Sequence, residues 1–314
     1  MKLSKVNDKG QLNEVLTYMV FRKFILLVLL VGAFSILSGC KEEADSLTIG
    51  FIPLKEKEVM LEEYKPIQNY LEENLDFPVN IEIMDNYANL VKGMENESID
   101  IGYFGAFSYI AAESQMPLTP LIVEERKVTG IYYQSFIISR SDSNLKTIDD
   151  LKGKKFAFVD SGSTSGFVLP YALFKSRSIE MDNYFSGIHY SGSHVGVLED
   201  LKNSIVDAGA ISSIQYEQLL EDGEIREEDY TIIWESPEIP GSPYVARSEL
   251  DQKLQENFVE AMLTIHQEIP DELSQYDRSL EKFVKIENKD YNSIRNISTI
   301  LGKEYMVNYF LQDK

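Results

Sequence analysis

From residue 47 onward, short β-rich apolar runs alternate with longer segments whose apolar positions recur at helical spacing. Leu47–Leu54 reads as a buried strand and Val59–Asn74 as a helix carrying Leu61, Tyr64, Ile67 and Leu71 on one face. Strand Val79–Met84, helix Tyr87–Asn96, strand Asp100–Tyr103 and helix Ala106–Ser114 follow. Leu118–Glu124 and Tyr132–Arg140 read as strands on either side of a turn at Thr129-Gly130. After Asp149 the rhythm restarts with strand Lys155–Asp160, helix Thr164–Arg177, strand Tyr184–Tyr190 and helix His194–Ser204. Strand Ala208–Ile211, helix Gln215–Glu221 and strand Thr231–Trp234 complete the block, and the tail, Leu250–Leu311, reads as mainly helical.

Two α/β blocks in series predict two lobes, each a mostly parallel sheet flanked by helices, with sites at the carboxyl ends of strands. Glu125–Tyr133 and Glu235–Tyr244 read as crossovers between the lobes, the second too rich in proline for either core. The expected partition is residues 47–128 and 240–314 in the first lobe and 129–239 in the second.

The amino-terminal segment changes the picture of where the protein works. Arg22 and Lys23 precede an apolar run, Phe24–Leu37, of signal-peptide length and short for a bilayer span. It ends Leu37-Ser38-Gly39-Cys40, with the only cysteine in the chain. This resembles the site cut by lipoprotein signal peptidase. The resemblance implies a signal peptide over residues 1–39, lipid on Cys40 that holds the protein at the cell membrane, and a short tether over 40–46. The competing reading is an uncleaved anchor with a chance cysteine. Met19, followed by Val-Phe-Arg-Lys, offers a second start. A single cysteine excludes an intramolecular disulfide and a cysteine-rich metal site.

The chain carries a formal charge of −21. Without residues 1–39, which hold five Lys/Arg and two Asp/Glu, 25 basic residues face 49 acidic ones. Nucleic acid and anionic lipid surfaces are therefore disfavoured as partners. Any bound anion has to be held by local donors against the overall field.

One segment supplies such donors. The apolar strand Phe156–Val159 runs into Gly162-Ser163-Thr164-Ser165-Gly166 and then a helix. Three hydroxyls and several N–H groups without intrahelical partners meet at one helix start, where the macrodipole favours an oxyanion. The competing reading is an ordinary Ser/Thr cap, which needs one hydroxyl. The stretch also looks superficially like a nucleophile elbow, but its central residue is Thr164. His189, His194 and His266 fall in no triad order, so hydrolase chemistry is disfavoured.

Ser163–Pro170 (STSGFVLP), after a strand ending in Asp160, resembles the signature of phosphonate- and phosphite-binding periplasmic proteins. Asn86-Tyr87-Ala88 with Gly93-Met94, Asp100–Gly105, Ser191–His194 and Trp234–Pro243 resemble further segments of that family, in order. The resemblance covers about residues 46–260. It implies a two-lobed periplasmic-binding-protein fold of type II and an oxyanion cradle at Ser163, Thr164, Ser165 and the N–H groups around Gly166. It also implies a ring N–H from His194, with the imidazolium favoured by a bound dianion, and a hydroxyl from Tyr87 in the opposite lobe. On the residues alone, His194 reads as a helix start or a surface position. The family's aromatic pair falls on Tyr103 and Phe104; either Tyr103 supplies a phenol there or the wall is apolar.

Aminoalkylphosphonate binders of this family carry acids that pair with the ligand's ammonium. The matching positions here are Ser242 and Ser213 or Ile214. A buried ammonium without a carboxylate costs several kcal/mol, so phosphite, phosphate or a small alkylphosphonate is the expected ligand. What the resemblance implies is a monomeric binding protein, not an enzyme, without a metal or other cofactor, serving an ABC permease. Presentation of the closed form to a membrane receptor kinase is the alternative.

Overall fold

Leu47–Phe51 (β1), apolar apart from Thr48 and Gly50, is buried at four of five positions and forms the centre of a parallel unit. It pairs with Val79–Ile83 (β2) and Ile101–Tyr103 (β3), connected through helices Lys57–Leu75 (α1) and Tyr87–Glu95 (α2). α1 turns Met60, Tyr64, Ile67, Tyr70 and Leu71 inward. Tyr64, Ile67 and Leu71 lie on the buried stripe as expected, Leu61 faces outward, and Met60 and Tyr70 complete the stripe. Ala106–Glu113 (α3) follows β3, and Leu118–Arg126 (β4) leads out of this sheet through Tyr132–Tyr133 (β5). These coordinates are a computed structural model that describes residues 46–302 and Tyr305. The expected signal peptide, Cys40, the expected tether up to residue 45 and the end of the expected tail lie outside the described residues.

The second sheet is built from Ser135–Arg140 (β6), Lys155–Phe158 (β7), Gly187–Tyr190 (β8), Ala208–Ser212 (β9) and Tyr230–Glu235 (β10). Its helices are Leu169–Ser176 (α4), Met181–Tyr184 (α5), His194–Lys202 (α6) and Ser213–Glu221 (α7). The expected strand from Tyr184 therefore begins only at Gly187. The chain returns through Ile239–Pro240 (β11) and Pro243–Arg247 (β12). Both crossovers pair with each other: Ile239 opposes Tyr133 and Pro240 opposes Tyr132, and the Gly241 N–H donates to the Ile131 carbonyl at 2.8 Å.

The spatial orders are β13-β4-β12-β3-β1-β2 and β10-β6-β9-β7-β8, where β13 is Leu280–Lys285. The fold is α/β and two-lobed, as the pattern predicts, but the sheets are mixed. Parallel pairing holds among β1, β2 and β3 and among β7, β8 and β9, whereas β4, β6, β10, β12 and β13 join antiparallel. The strands that enter from a crossover, β12 and β6, run against the βαβ units, whereas β4 and β10, which leave, run with them. β13 also corrects the reading of a helical tail, which otherwise forms Gln252–Glu268 (α8), Pro270–Tyr276 (α9) and Asn292–Leu301 (α10). β13 is an edge strand of sequence LEKFVK, whose charges suit an edge. α8 and α9 pack on α1, and α8 also covers β13. Among the described residues, no helix is long and apolar enough to cross a membrane.

Candidate functional site

Pro170 shapes the hydroxyl-rich segment. In a regular α-helix the N–H of residue 170 would bond the Gly166 carbonyl, and proline has no N–H. That carbonyl accepts instead from the Val159 N–H at 3.1 Å. The turn widens, so the Val168 and Leu169 N–H groups reach five residues back, to the carbonyls of Ser163 and Thr164. Thr164–Val168 is thus one π-turn ahead of α4, where the sequence predicts α-helix from Thr164 onward. Such turns recur at functional sites because they change where the first side chains point. Gly166 allows the turn to lie on β7: a Cβ there would sit 2.4 Å from Val159.

Ser163, Thr164 and Ser165 are buried, and all three line a cleft of about 320 Å³, mouth included. Tyr87, Tyr103, Tyr133, His194, Gln215 and Ser242 line it too. Ser163 Oγ accepts from the Gly166 N–H at 3.0 Å, so that N–H is used within the turn and Gly166 does not line the cleft. Ser163 also lies against the Tyr87 hydroxyl, whose pKa is raised by burial. Thr164 Oγ1 accepts from the Phe107 N–H at 2.8 Å, tying the start of α3 to the second sheet and leaving its own proton to donate. The Thr164 and Ser165 N–H groups open the turn, where no intrahelical partner exists by position.

His194 begins α6 and is buried. Its Nδ1 accepts from the Ser212 N–H at 3.1 Å, which puts the ring proton on Nε2. Burial pulls its pKa down to about 3. The ring is therefore a neutral donor, which corrects the expected imidazolium: its second nitrogen is already committed as an acceptor. Tyr103 reaches the cleft, but its hydroxyl donates to Glu124 Oε2 at 3.0 Å. Phe104 is fully buried and lies outside the cleft lining; its ring fills the space over Gly102, where a Cβ would meet it at 2.4 Å. The aromatic pair therefore divides, with Tyr103 at the wall and Phe104 in the core.

Two participants are not evident from sequence spacing. Tyr133, on the crossover strand β5, places its hydroxyl beside those of Thr164 and Ser165, and burial pushes its pKa up to about 12. Asp160 accepts from the Gly162 N–H at 2.7 Å and from the Tyr87 backbone N–H, with its pKa raised mainly by burial. A carboxylate from the second sheet thus caps the first turn of α2. Both acquire their roles only across the cleft, beyond the reach of local pattern.

The cleft collects helix starts. Tyr87 opens α2, Gly105 precedes α3, Ser163 caps the π-turn, His194 opens α6 and Ser212 caps α7. Each follows a parallel strand, so five helix N-termini point into one cavity. Each end carries about half a positive charge. Among the described residues, no Asp, Glu, Lys or Arg lines the cavity. Ser242 and Ile214 lie on its wall. Ser213 faces away, with Oγ accepting from the Gln134 N–H at 3.1 Å. Such a set can donate many hydrogen bonds to an anion and offers nothing to pair with a cation. Among the described residues no group of three or more His, Cys, Asp or Glu could hold a metal ion.

The chain is similar to known proteins over most of its length. Residues 49–291 match the family model for the ABC transporter, phosphonate, periplasmic substrate-binding protein. A probable ABC transporter phosphite-binding protein, PhnD1 of Prochlorococcus marinus, is 25% identical over 82% of this chain and 90% of its own length. The phosphate-import protein PhnD of Mycolicibacterium smegmatis is 28% identical over 83% of this chain and 87% of its own. The solved structure of Prochlorococcus marinus PhnD1 with methylphosphonate superposes with a TM-score of 0.72, at 23% identity, over 82% of this chain and 99% of that one.

Proposed function

The chain belongs to the periplasmic substrate-binding proteins of phosphonate ABC transporters, and we propose that it captures phosphite, phosphate or a short alkylphosphonate in the cleft just described. The observation that carries this reading is the convergence of five helix N-termini and neutral hydroxyl, phenol and imidazole donors on a cavity lined, among the described residues, by no charged side chain. The oxygens of phosphite and methylphosphonate accept what it donates.

The ligand lands on the Ser163–Ser165 turn, exchanges water for hydroxyl and N–H donors, and draws in Tyr87 from the first lobe. Residues 47–128 and 240–314 move as one lobe and 129–239 as the other, about the paired crossovers. The ligand favours the closed form because that form alone presents donors from both sheets. Lipid on Cys40 keeps the protein beside its permease.

Calorimetric titration with phosphite, phosphate, methylphosphonate, 2-aminoethylphosphonate and sulfate tests the ligand class. One or more of the first three should bind, with the aminophosphonate weaker than methylphosphonate. Absence of binding by all three phosphorus oxyanions would end this reading. Replacing Cys40 with Ser should move the protein from the membrane to the soluble fraction, which tests the anchor separately.

A further inference from the structure

Behind Tyr103 a second cavity continues from the cleft. Leu54, Tyr103 and Gln215 line both, and Arg126, Gln218 and Tyr276 line only the second of these two. The Arg126 side chain is 9% exposed. Its Nη2 serves two carboxylates, Glu124 at 2.8 Å and Asp277 at 3.0 Å. Its Nε is buried without a hydrogen-bond partner. Neighbouring acceptors are engaged elsewhere: Glu124 takes the Tyr103 and Tyr276 hydroxyls, and Asp277 takes the N–H and hydroxyl of Ser279. A buried charged donor left unmade is costly, and native structures rarely keep one without a reason. Arg126 lines a space that adjoins the ligand site.

We propose that the second cavity binds the substituent of a phosphorus ligand whose oxyanion rests on Ser163–Ser165, and that it selects a substituent ending in a neutral hydrogen-bond acceptor, a hydroxyl or carbonyl. The proposal rests on the oxyanion reading above and specifies its ligand. Glu124 and Asp277 on Arg126, with Lys55 and Glu63 paired at 2.6 Å on the same wall, leave the spot net negative, so a terminal carboxylate is repelled. A terminal ammonium only donates: it gives Nε nothing and meets carboxylates already holding Arg126, Lys55 and hydroxyl donors. A hydroxyl accepts from Arg126 Nε and can donate to the amide carbonyl of Gln215 or Gln218. The phosphorus group is common to all these ligands, so discrimination among them falls to this cavity.

The test compares 2-hydroxyethylphosphonate with propylphosphonate, which has the same number of heavy atoms, by calorimetry. One hydrogen bond from a charged donor should make the hydroxyl compound about tenfold tighter. In Arg126→Lys, which keeps the charge and removes Nε, the ratio should fall toward one. Equal or tighter binding of propylphosphonate to the native protein overturns the subsite and leaves the oxyanion reading standing. Failure of every phosphorus ligand overturns both. Should Arg126→Lys not fold, a crystal structure of the native protein with 2-hydroxyethylphosphonate decides. The hydroxyl against Arg126 Nε supports the subsite; an ordered water there, with the hydroxyl elsewhere, refutes it.

Discussion

On one side of the Tyr103 ring lie the hydroxyls of Ser163, Thr164 and Ser165, the neutral His194 ring and five helix starts, all without formal charge. On the other lie Glu124, Arg126 and Asp277, buried and joined by ion pairs at 2.8 and 3.0 Å. The fold cancels charge where side chains must stay together and leaves dipoles open where a ligand can enter. Tyr103 belongs to both regions in position but to the charged one in bonding, because its proton goes to Glu124. Neutral donors suit a protein of this net charge: they need no desolvated cation, and an anion entering them finds no carboxylate on the cavity wall.

The comparison breaks most visibly at the ion cluster. Arg126→Met leaves two buried carboxylates without their cation and should cost about 3–5 kcal/mol of stability, read by chemical denaturation. The Asp277 carboxyl is held below its usual pKa: burial alone would raise it, but Arg126 and the Ser279 donors outweigh that. Its stabilising contribution is complete above the ordinary Asp value of about 3.9 and is lost as pH falls through the lower folded value. Arg126→Met should flatten that acid limb of the stability profile.

Ser163→Ala with Thr164→Ala removes two donors to a charged ligand and should weaken binding by about a hundredfold or more. The lost cap costs about 1 kcal/mol and the buried Phe107 N–H left without Thr164 Oγ1 about 1–3 kcal/mol more, so chemical denaturation of the variant separates loss of affinity from loss of fold. His194→Gln should weaken binding by about tenfold. Because the folded pKa of His194 is about 3 against an ordinary 6.5, the neutral ring's contribution to stability is full above pH 6.5. It declines as pH falls toward the folded value, and His194→Gln should remove that part of the decline. Tyr103→Phe should have the smallest effect, about 1 kcal/mol of stability from the lost bond to Glu124, with binding little changed. Loss of affinity comparable to the Ser163/Thr164 pair would place the Tyr103 hydroxyl with the ligand and erase the division between the regions.

Sequence reading reaches one of these regions far better than the other. Three hydroxyls between two glycines after an apolar strand announce a donor cluster by composition alone, and the βα alternation places it at strand ends. The π-turn is not legible there, because it follows from Pro170 withdrawing a donor from Gly166 and from Val159 supplying one. Tyr133 escapes notice on a two-residue strand whose partner, Ile239, lies in the other crossover. Arg126 meets Asp277 only because β13 returns to pair with β4, and LEKFVK, with charges at 281, 282 and 285 and no strict alternation, hides that strand inside a tail otherwise helical. Local chemistry is written locally; charge pairing across the chain is not.

The central claim is that uncharged donors at converging helix starts hold an anion inside a strongly acidic protein. Calorimetric affinity for methylphosphonate, measured from about 0.01 M to about 1 M of a salt with a bulky, non-coordinating anion, tests it most directly. Affinity should stay level or rise with salt, because screening removes only the repulsion of the acidic surface. Affinity that falls steadily with salt would mean a cationic side chain holds the ligand, and would contradict the account.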